Sequence, residues 1–234
     1  MESMERRMTE HTDVWPKTAE LFDLQHSSAA PLLSRTEYPW EALGDIKEFL
    51  LSYGQTLSPE EYTQPAPGVW ISRRAKVAPT ASISGPCIIE ADAEIRHCAY
   101  IRGSALVGAG CVVGNSTELK NVILFDGVQV PHYNYVGDSI LGYHSHMGAG
   151  SITSNVRSDK ANVVLHCGGE RWETGLRKFG AMLGDRAEIG CNSVLCPGSI
   201  VGRDSIVYPL SRVRCVVPER SIFKDGGEIV PRIL

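Results

Sequence analysis

At 234 residues the chain has room for one sizeable domain or two small ones. Its 43% hydrophobic and 21% charged residues describe a soluble globular protein. A net charge of -4 argues against a general nucleic-acid binder, while leaving room for a local cationic pocket. Seven cysteines, at 87, 98, 111, 167, 191, 196 and 215, form no CxxC pair and indicate neither a disulfide framework nor a zinc ribbon. They read as reduced thiols of a cytoplasmic protein.

The N-terminus is charged, lacks the apolar centre of a signal peptide, and is expected to fray over residues 1–13. No apolar run approaches the roughly 18 residues of a membrane span. Two short helical patterns follow. Val14, Trp15, Ala19, Leu21, Phe22 and Leu24 carry the first; Trp40, Ala42, Leu43, Ile46, Phe49 and Leu50 sit at the three- and four-residue spacings of the second. Ser58-Pro59-Glu60-Glu61 has the form of a helix start, and Gln64 to Gly68 that of a connector. Residues 1–70 are therefore expected to be a helical cap and linker covering an open end of the main domain.

From Val77 the pattern changes. Val77, Ile83, Ile89, Ile95, Ile101, Val107, Val113 and Leu119 recur every six residues. The register slips by a residue near Leu124, resumes at Val130 and Val136, then slips again to Leu141 and Met147. Leu183, Ile189, Leu195, Val201, Val207 and Val213 restore strict six-residue spacing. Neither a helix nor a hairpin array repeats at six, whereas a parallel β-helix does, each aliphatic stacking on the one a coil below. The expected main domain is 71–217, with a loop insertion at 154–180 carrying Arg157, Lys160, Arg171, Arg177 and Lys178, and a C-terminal arm at 218–234. Three sides to a coil place Arg102 above or below Lys120, 18 residues apart, while Glu118 and Lys120 point the same way from one strand. By spacing alone these are better explained by solvated surface charges than by a phosphate cradle.

Gly114-Asn115 with Glu118-Leu119-Lys120, then His132-Tyr133-Asn134-Tyr135-Val136-Gly137-Asp138, then Gly148-Ala149-Gly150-Ser151-Ile152-Thr153-Ser154-Asn155 form a more specific set. Over about residues 77–215 the chain resembles the acetyltransferase domain of the bifunctional UDP-N-acetylglucosamine pyrophosphorylase/glucosamine-1-phosphate acetyltransferases and related sugar-phosphate acetyltransferases. The resemblance implies an all-β fold, a left-handed parallel β-helix of hexapeptide repeats; the hand follows from the resemblance, since crossovers ordinarily turn right-handed. It also implies a homotrimer, with acetyl-CoA as co-substrate bound between subunits. His132 matches the base that deprotonates the sugar amine, a task suited to an imidazole, and Glu118 the residue that orients it. Arg102, Lys120 and Tyr135 match phosphate-binding positions, and Asn155 the residue that positions the amine. Ala149 matches the backbone N–H that faces the thioester carbonyl.

Several positions depart from that pattern. His146 replaces an Asn that touches the sugar, and Val156 replaces an aromatic. Lys160 is one residue short of the last phosphate-binding Lys. On the coenzyme A path Cys191 replaces a small residue, and Tyr208-Pro209 replaces small residues near the pantetheine channel. Residues 1–70 are too short for the nucleotidyltransferase domain and lack its Gly-rich loop. No two histidines show the His-x-x-x-x-His pair of the hexapeptide-repeat carbonic anhydrases. His144 and His146 would point the same way from a strand and could ligate zinc with a third His from a neighbouring subunit, but polar surface histidines explain them better and no metal is expected. The expected function is acetyl-CoA-dependent N-acetylation of an amino-sugar 1-phosphate, most simply glucosamine 1-phosphate, in the cytoplasm. The alternative is a non-catalytic sugar-phosphate or sugar-nucleotide binding module partnering a separate nucleotidyltransferase. Neither reading involves nucleic acid or a membrane.

Overall fold

The computed structural model describes residues 14–233; the expectation for residues 1–13 lies outside them. The chain forms a parallel β-helix whose strands stack into three faces. The first face runs from Val69–Ser72 through Cys87–Ile89, Ala105–Val107 and the second halves of Glu118–Leu124 and Tyr135–Leu141. It continues to Ala181–Leu183, Ser199–Val201 and Val216–Val217. The second face stacks Ser82–Ile83, Tyr100–Ile101, the first halves of the two long strands, Ile152–Thr153, Val194–Leu195 and Arg212–Val213. The third runs from Lys76–Val77 to Ser221–Phe223 and ends on an antiparallel strand, Ile229–Pro231.

The hexapeptide aliphatics point inward as expected: Ile89, Ile95, Ile101, Val107, Val113 and Leu119 are each no more than 1% exposed. The two register slips have one cause. Most coils take 18 residues, but Val122 pairs with Ala105 and Ser139 with Val122, 17 residues apart. At the corner between the second and first faces the earlier coil spends Gly103 and Ser104 at positive φ, whereas the next two turn on Asn121 (φ 54) and Asp138 (φ 48) alone. Asn and Asp tolerate this left-handed region better than other side chains.

The N-terminal segment does not cover an open end. It lies along the first face: Pro39–Gly44 packs on Tyr135–Leu141, and Ile46–Gly54 on the strands at 87–89, 105–107 and 118–124. The physical reason is a second apolar column. On this face the outward residues are Ile88, Leu106, Ile123, Ile140, Met182 and Ile200, and every one is fully buried. Covering each is worth roughly 1.5–3 kcal/mol, so a lateral strap is favoured over an end cap. Phe22 packs on Phe125 with ring centroids 5.0 Å apart, His26 stacks on Tyr143, and Asp185 accepts the Asp23 N–H at 2.8 Å.

The insertion leaves the coil after Ile152–Thr153 and returns at Ala181–Leu183. It carries an antiparallel hairpin, Val164–Cys167 with Glu170–Glu173, turned on Gly168 and Gly169 at positive φ. Trp172 on this hairpin meets Trp15, Tyr38 and Trp40 of the strap, and Trp40 stacks on Phe179. Strap and insertion thus brace one another beside the second face.

Candidate functional site

His132 ends the third-face strand Gln129–His132, and Tyr133 turns the corner into the second face at φ 52. Beneath that turn Asn134, 2% exposed, acts as a clamp. Its Oδ1 accepts the His132 N–H at 3.1 Å, while its Nδ2 donates to Gly148 O at 2.9 Å and Ser151 O at 3.0 Å. The backbone that presents the exposed imidazole is fixed in this way. Gly150 N–H donates to His132 O, Asn192 N–H to Ala149 O and Leu210 N–H to Cys191 O. His132, Ala149 and Cys191 therefore stack on successive coils along one edge. Among the described residues nothing accepts a hydrogen bond from the Ala149 N–H.

The second face begins beside this edge and is cationic. Arg102 and Lys120 do stack, since Arg102 N–H bonds Leu119 O on the next coil. Glu118 accepts from Arg102 Nη1 at 2.7 Å, which raises the guanidinium pKa above its ordinary value. Among the described residues no hydrogen bond joins Glu118 to His132, so the carboxylate orients Arg102 here in place of the imidazole. Tyr135 pairs with Glu118 across the coils, and its hydroxyl accepts from Asn155 Nδ2 at 3.3 Å. Burial, followed by the charges of Asp138 and Glu118, raises the Tyr135 pKa.

Three residues outside the sequence-derived set complete this network. Asp138, only 6% exposed, accepts from Asn155 Nδ2 at 2.5 Å and from Asn121 Nδ2 at 3.0 Å. Asn121 also donates to Leu43 O of the strap. Lys178, at the returning end of the insertion, reaches the Lys120 side chain; burial and then this neighbouring cation lower the Lys120 pKa. The Phe179 N–H bonds Asn155 O at 3.0 Å, which ties Lys178 to the site. The sequence signal for Asp138 and Asn121 was the register slip itself, because each occupies a one-residue corner. Lys178 carried no such signal, since a cation in a long loop can end anywhere.

Lys160 sits on an exposed turn at φ 60, its N–H bonded to Arg157 O, and makes no contact with Arg102, Lys120 or Tyr135 among the described residues. Arg157 pairs with Asp159. His146 lies on the outer side of the third face with Nδ1 2.9 Å from Glu188 Oε2. Tyr208 is on that face too, 39% exposed, one coil beyond Gly190. The Cys191 thiol stands close to Gly148, where a Cβ would lie 3.0 Å from Sγ. Among the described residues no group of three His, Cys, Asp or Glu is placed to hold a metal ion, and no helix is long and apolar enough to cross a membrane.

The family model described as the GMPPB C-terminal domain matches residues 83–167. A bifunctional protein GlmU from Methanococcus maripaludis (strain C5) is 31% identical over 244 residues, covering 97% of this chain and 55% of the relative. A bifunctional sugar-1-phosphate nucleotidylyltransferase/acetyltransferase from Sulfurisphaera tokodaii is 31% identical over 174 residues, covering 67% of this chain and 43% of the relative. A GDP-perosamine N-acetyl transferase from Caulobacter crescentus, solved with CoA and GDP-perosamine, is 20% identical with a TM-score of 0.29. That match covers 69% of this chain and 56% of the other. The chain spans about half the length of the GlmU protein it matches along almost its whole sequence. This β-helical chain resembles the acetyltransferase region of the bifunctional GlmU proteins and of related hexapeptide-repeat sugar-phosphate acetyltransferases.

Proposed function

We propose that the chain is an acetyl-CoA-dependent acetyltransferase acting on a sugar, specifically an N-acetyltransferase of an amino-sugar 1-phosphate, with glucosamine 1-phosphate the simplest candidate. One observation carries the reading: the edge that stacks His132, Ala149 and Cys191, with the Ala149 N–H unused among the described residues, adjoins a face bearing Arg102, Lys120, Lys178 and Tyr135. The sugar phosphate would lie against the cations, where charge-assisted hydrogen bonds are strongest. Asn155, held by Asp138 and Tyr135, would position the amine. His132 would take the amine proton as the nitrogen attacks the thioester carbonyl. The Ala149 N–H would donate to the developing oxyanion, and the coenzyme would leave as a thiolate that takes up the proton held by His132. The attack is direct, so neither Cys191 nor any other residue forms a covalent intermediate. In this reading Glu118 orients Arg102, and a homotrimer brings a neighbouring subunit to the edge where the acyl donor lies. A separate nucleotidyltransferase would supply the uridylyl step.

The rival reading is a sugar-phosphate binding module without turnover. It is favoured by the Cys191 thiol crowding Gly148 and by Tyr208 standing exposed on the next coil. The deciding experiment is release of free thiol from acetyl-CoA with glucosamine 1-phosphate, galactosamine 1-phosphate and glucosamine 6-phosphate. The enzyme reading expects turnover on a 1-phosphate, reduced roughly 100- to 10,000-fold in His132→Ala, with sugar-phosphate binding retained. Binding without turnover by the wild-type chain would establish the module instead.

A further inference from the structure

An exposed thiol with an imidazole beside it stands on the same edge as His132. His97 and Cys98 follow the third-face strand Glu94–Ile95 and turn the corner toward Tyr100–Ile101. His97 O accepts from Asn115 Nδ2 at 3.2 Å, and Asn115 O accepts the Tyr133 N–H. The pair therefore lies two coils before the His132 corner, roughly 10 Å away at about 4.8 Å per coil.

Neighbouring side chains on a strand point to opposite faces. Here the left-handed turn at Cys98 (φ 58) folds the thiol back onto the preceding ring, with Sγ 3.2 Å from His97 Nε2. The other ring nitrogen, Nδ1, lies 2.7 Å from Thr80 Oγ1 on the coil before, and the same hydroxyl accepts the Cys98 N–H at 3.4 Å. Thr80 thus holds both the imidazole and the backbone that carries the thiol. With the ring proton on Nδ1, facing Thr80, Nε2 presents its lone pair to the thiol. Nucleophile, base and orienting group follow one another within hydrogen-bond reach, the arrangement that activates a thiol.

Among the described residues the other six cysteines lack it. Burial pushes the Cys87 thiol up to about 12, and burial leads the rise at Cys111, Cys167, Cys196 and Cys215 as well. Fewer of these sulfurs are thiolates at neutral pH, and the thiolate is the nucleophile. Cys191 is exposed, but among the described residues no hydrogen bond joins it to an imidazole. Exposure and a base coincide at Cys98.

We propose that Cys98 is a modification site, a nucleophilic thiol that takes up small disulfides, with His97 as its base and Thr80 positioning the imidazole. His97 Nε2 takes the thiol proton as the sulfur attacks one sulfur of the disulfide. That S–S bond breaks as the bond to Cys98 forms. The departing thiolate takes the proton back from His97, so Cys98 is oxidised and half of the reagent is reduced. The step uses neither acyl donor nor sugar, and it stands whether or not the chain is an acetyltransferase.

Glutathione disulfide is the probe. The full chain is incubated with it at neutral pH, and mixed disulfide at each cysteine is followed by peptide mass spectrometry. Cys98 should be modified roughly tenfold faster than Cys191, the exposed reference within the same molecule. This comparison needs no substitution. His97→Ala should bring Cys98 down to about the Cys191 rate and leave Cys191 itself unchanged. Thr80→Val should slow Cys98 by about threefold or more, and Thr80→Ser should restore it. His97 and Thr80 are exposed, so these variants should melt with the wild type. A Cys98 rate no higher than that of Cys191 would overturn the proposal. So would an unchanged Cys98 rate in His97→Ala, or one in Thr80→Val equal to wild type.

Discussion

Asp138 joins the fold to the site, and its removal has a calculable cost. Its carboxylate is 6% exposed and accepts from Asn155 Nδ2 at 2.5 Å and Asn121 Nδ2 at 3.0 Å. Hydrogen bonds to a charged group contribute about 1.5–3 kcal/mol each. Asn121 keeps its bond to Leu43 O, and Asn155 its bond to the Tyr135 hydroxyl, so truncation strands neither amide completely. The net loss in Asp138→Ala from hydrogen bonding is then about 2–4 kcal/mol. Alanine at φ 48 adds roughly 1 kcal/mol, because it tolerates the left-handed region less well than Asp. At 2–4 °C per kcal/mol for a chain of this size, the melting temperature should fall by about 10 °C. Asp138→Asn supplies the control, since it keeps the shape and the backbone tolerance while removing the charge. It should lose about half as much. Differential scanning calorimetry of the three proteins measures this, and a melting point within about 2 °C of wild type for the Ala variant would refute the reasoning.

A Cβ at Gly114 would overlap the Pro131 carbonyl on the adjoining coil, and neither backbone can retreat without breaking the ladder. Gly114→Ala should therefore cost about 3 kcal/mol or more, and a urea midpoint equal to wild type would contradict that packing. Glu90 offers a pH test. Burial raises its pKa above the ordinary carboxylate value. The folded chain then holds the proton more tightly than the unfolded one, so stability rises as pH falls through the raised value toward the ordinary one. Glu90→Gln should flatten that part of the melting-temperature curve, and an unchanged slope would place the titration elsewhere.

The fold was legible because a hexapeptide repeat has few structural solutions, and Ile89, Val107 and Leu124 each fill the same inward position on successive coils. The lateral position of the N-terminal segment is hidden in the sequence because the column that calls for it runs beside the inward one. Ile88, Leu106, Ile123, Ile140, Met182 and Ile200 also recur at coil spacing, but each lies beside an inward residue and is masked by it. Seen as a column, they mark a face that cannot be left to water, and they locate the strap that covers it. The candidate site divides along the same line. Residues fixed by the repeat, among them Arg102, Lys120, His132 and Ala149, can be placed by counting, because the coil sets their neighbours. Lys160 and Lys178 lie on a 27-residue excursion whose path depends on Trp172 finding Trp15, Tyr38 and Trp40, contacts more than a hundred residues apart in the chain. That aromatic contact, with Trp40 on Phe179 and the Phe179 N–H on Asn155, sets where the returning strand delivers its lysine. Which cation joins Arg102 and Lys120 on the second face is thus decided by the strap and the insertion together.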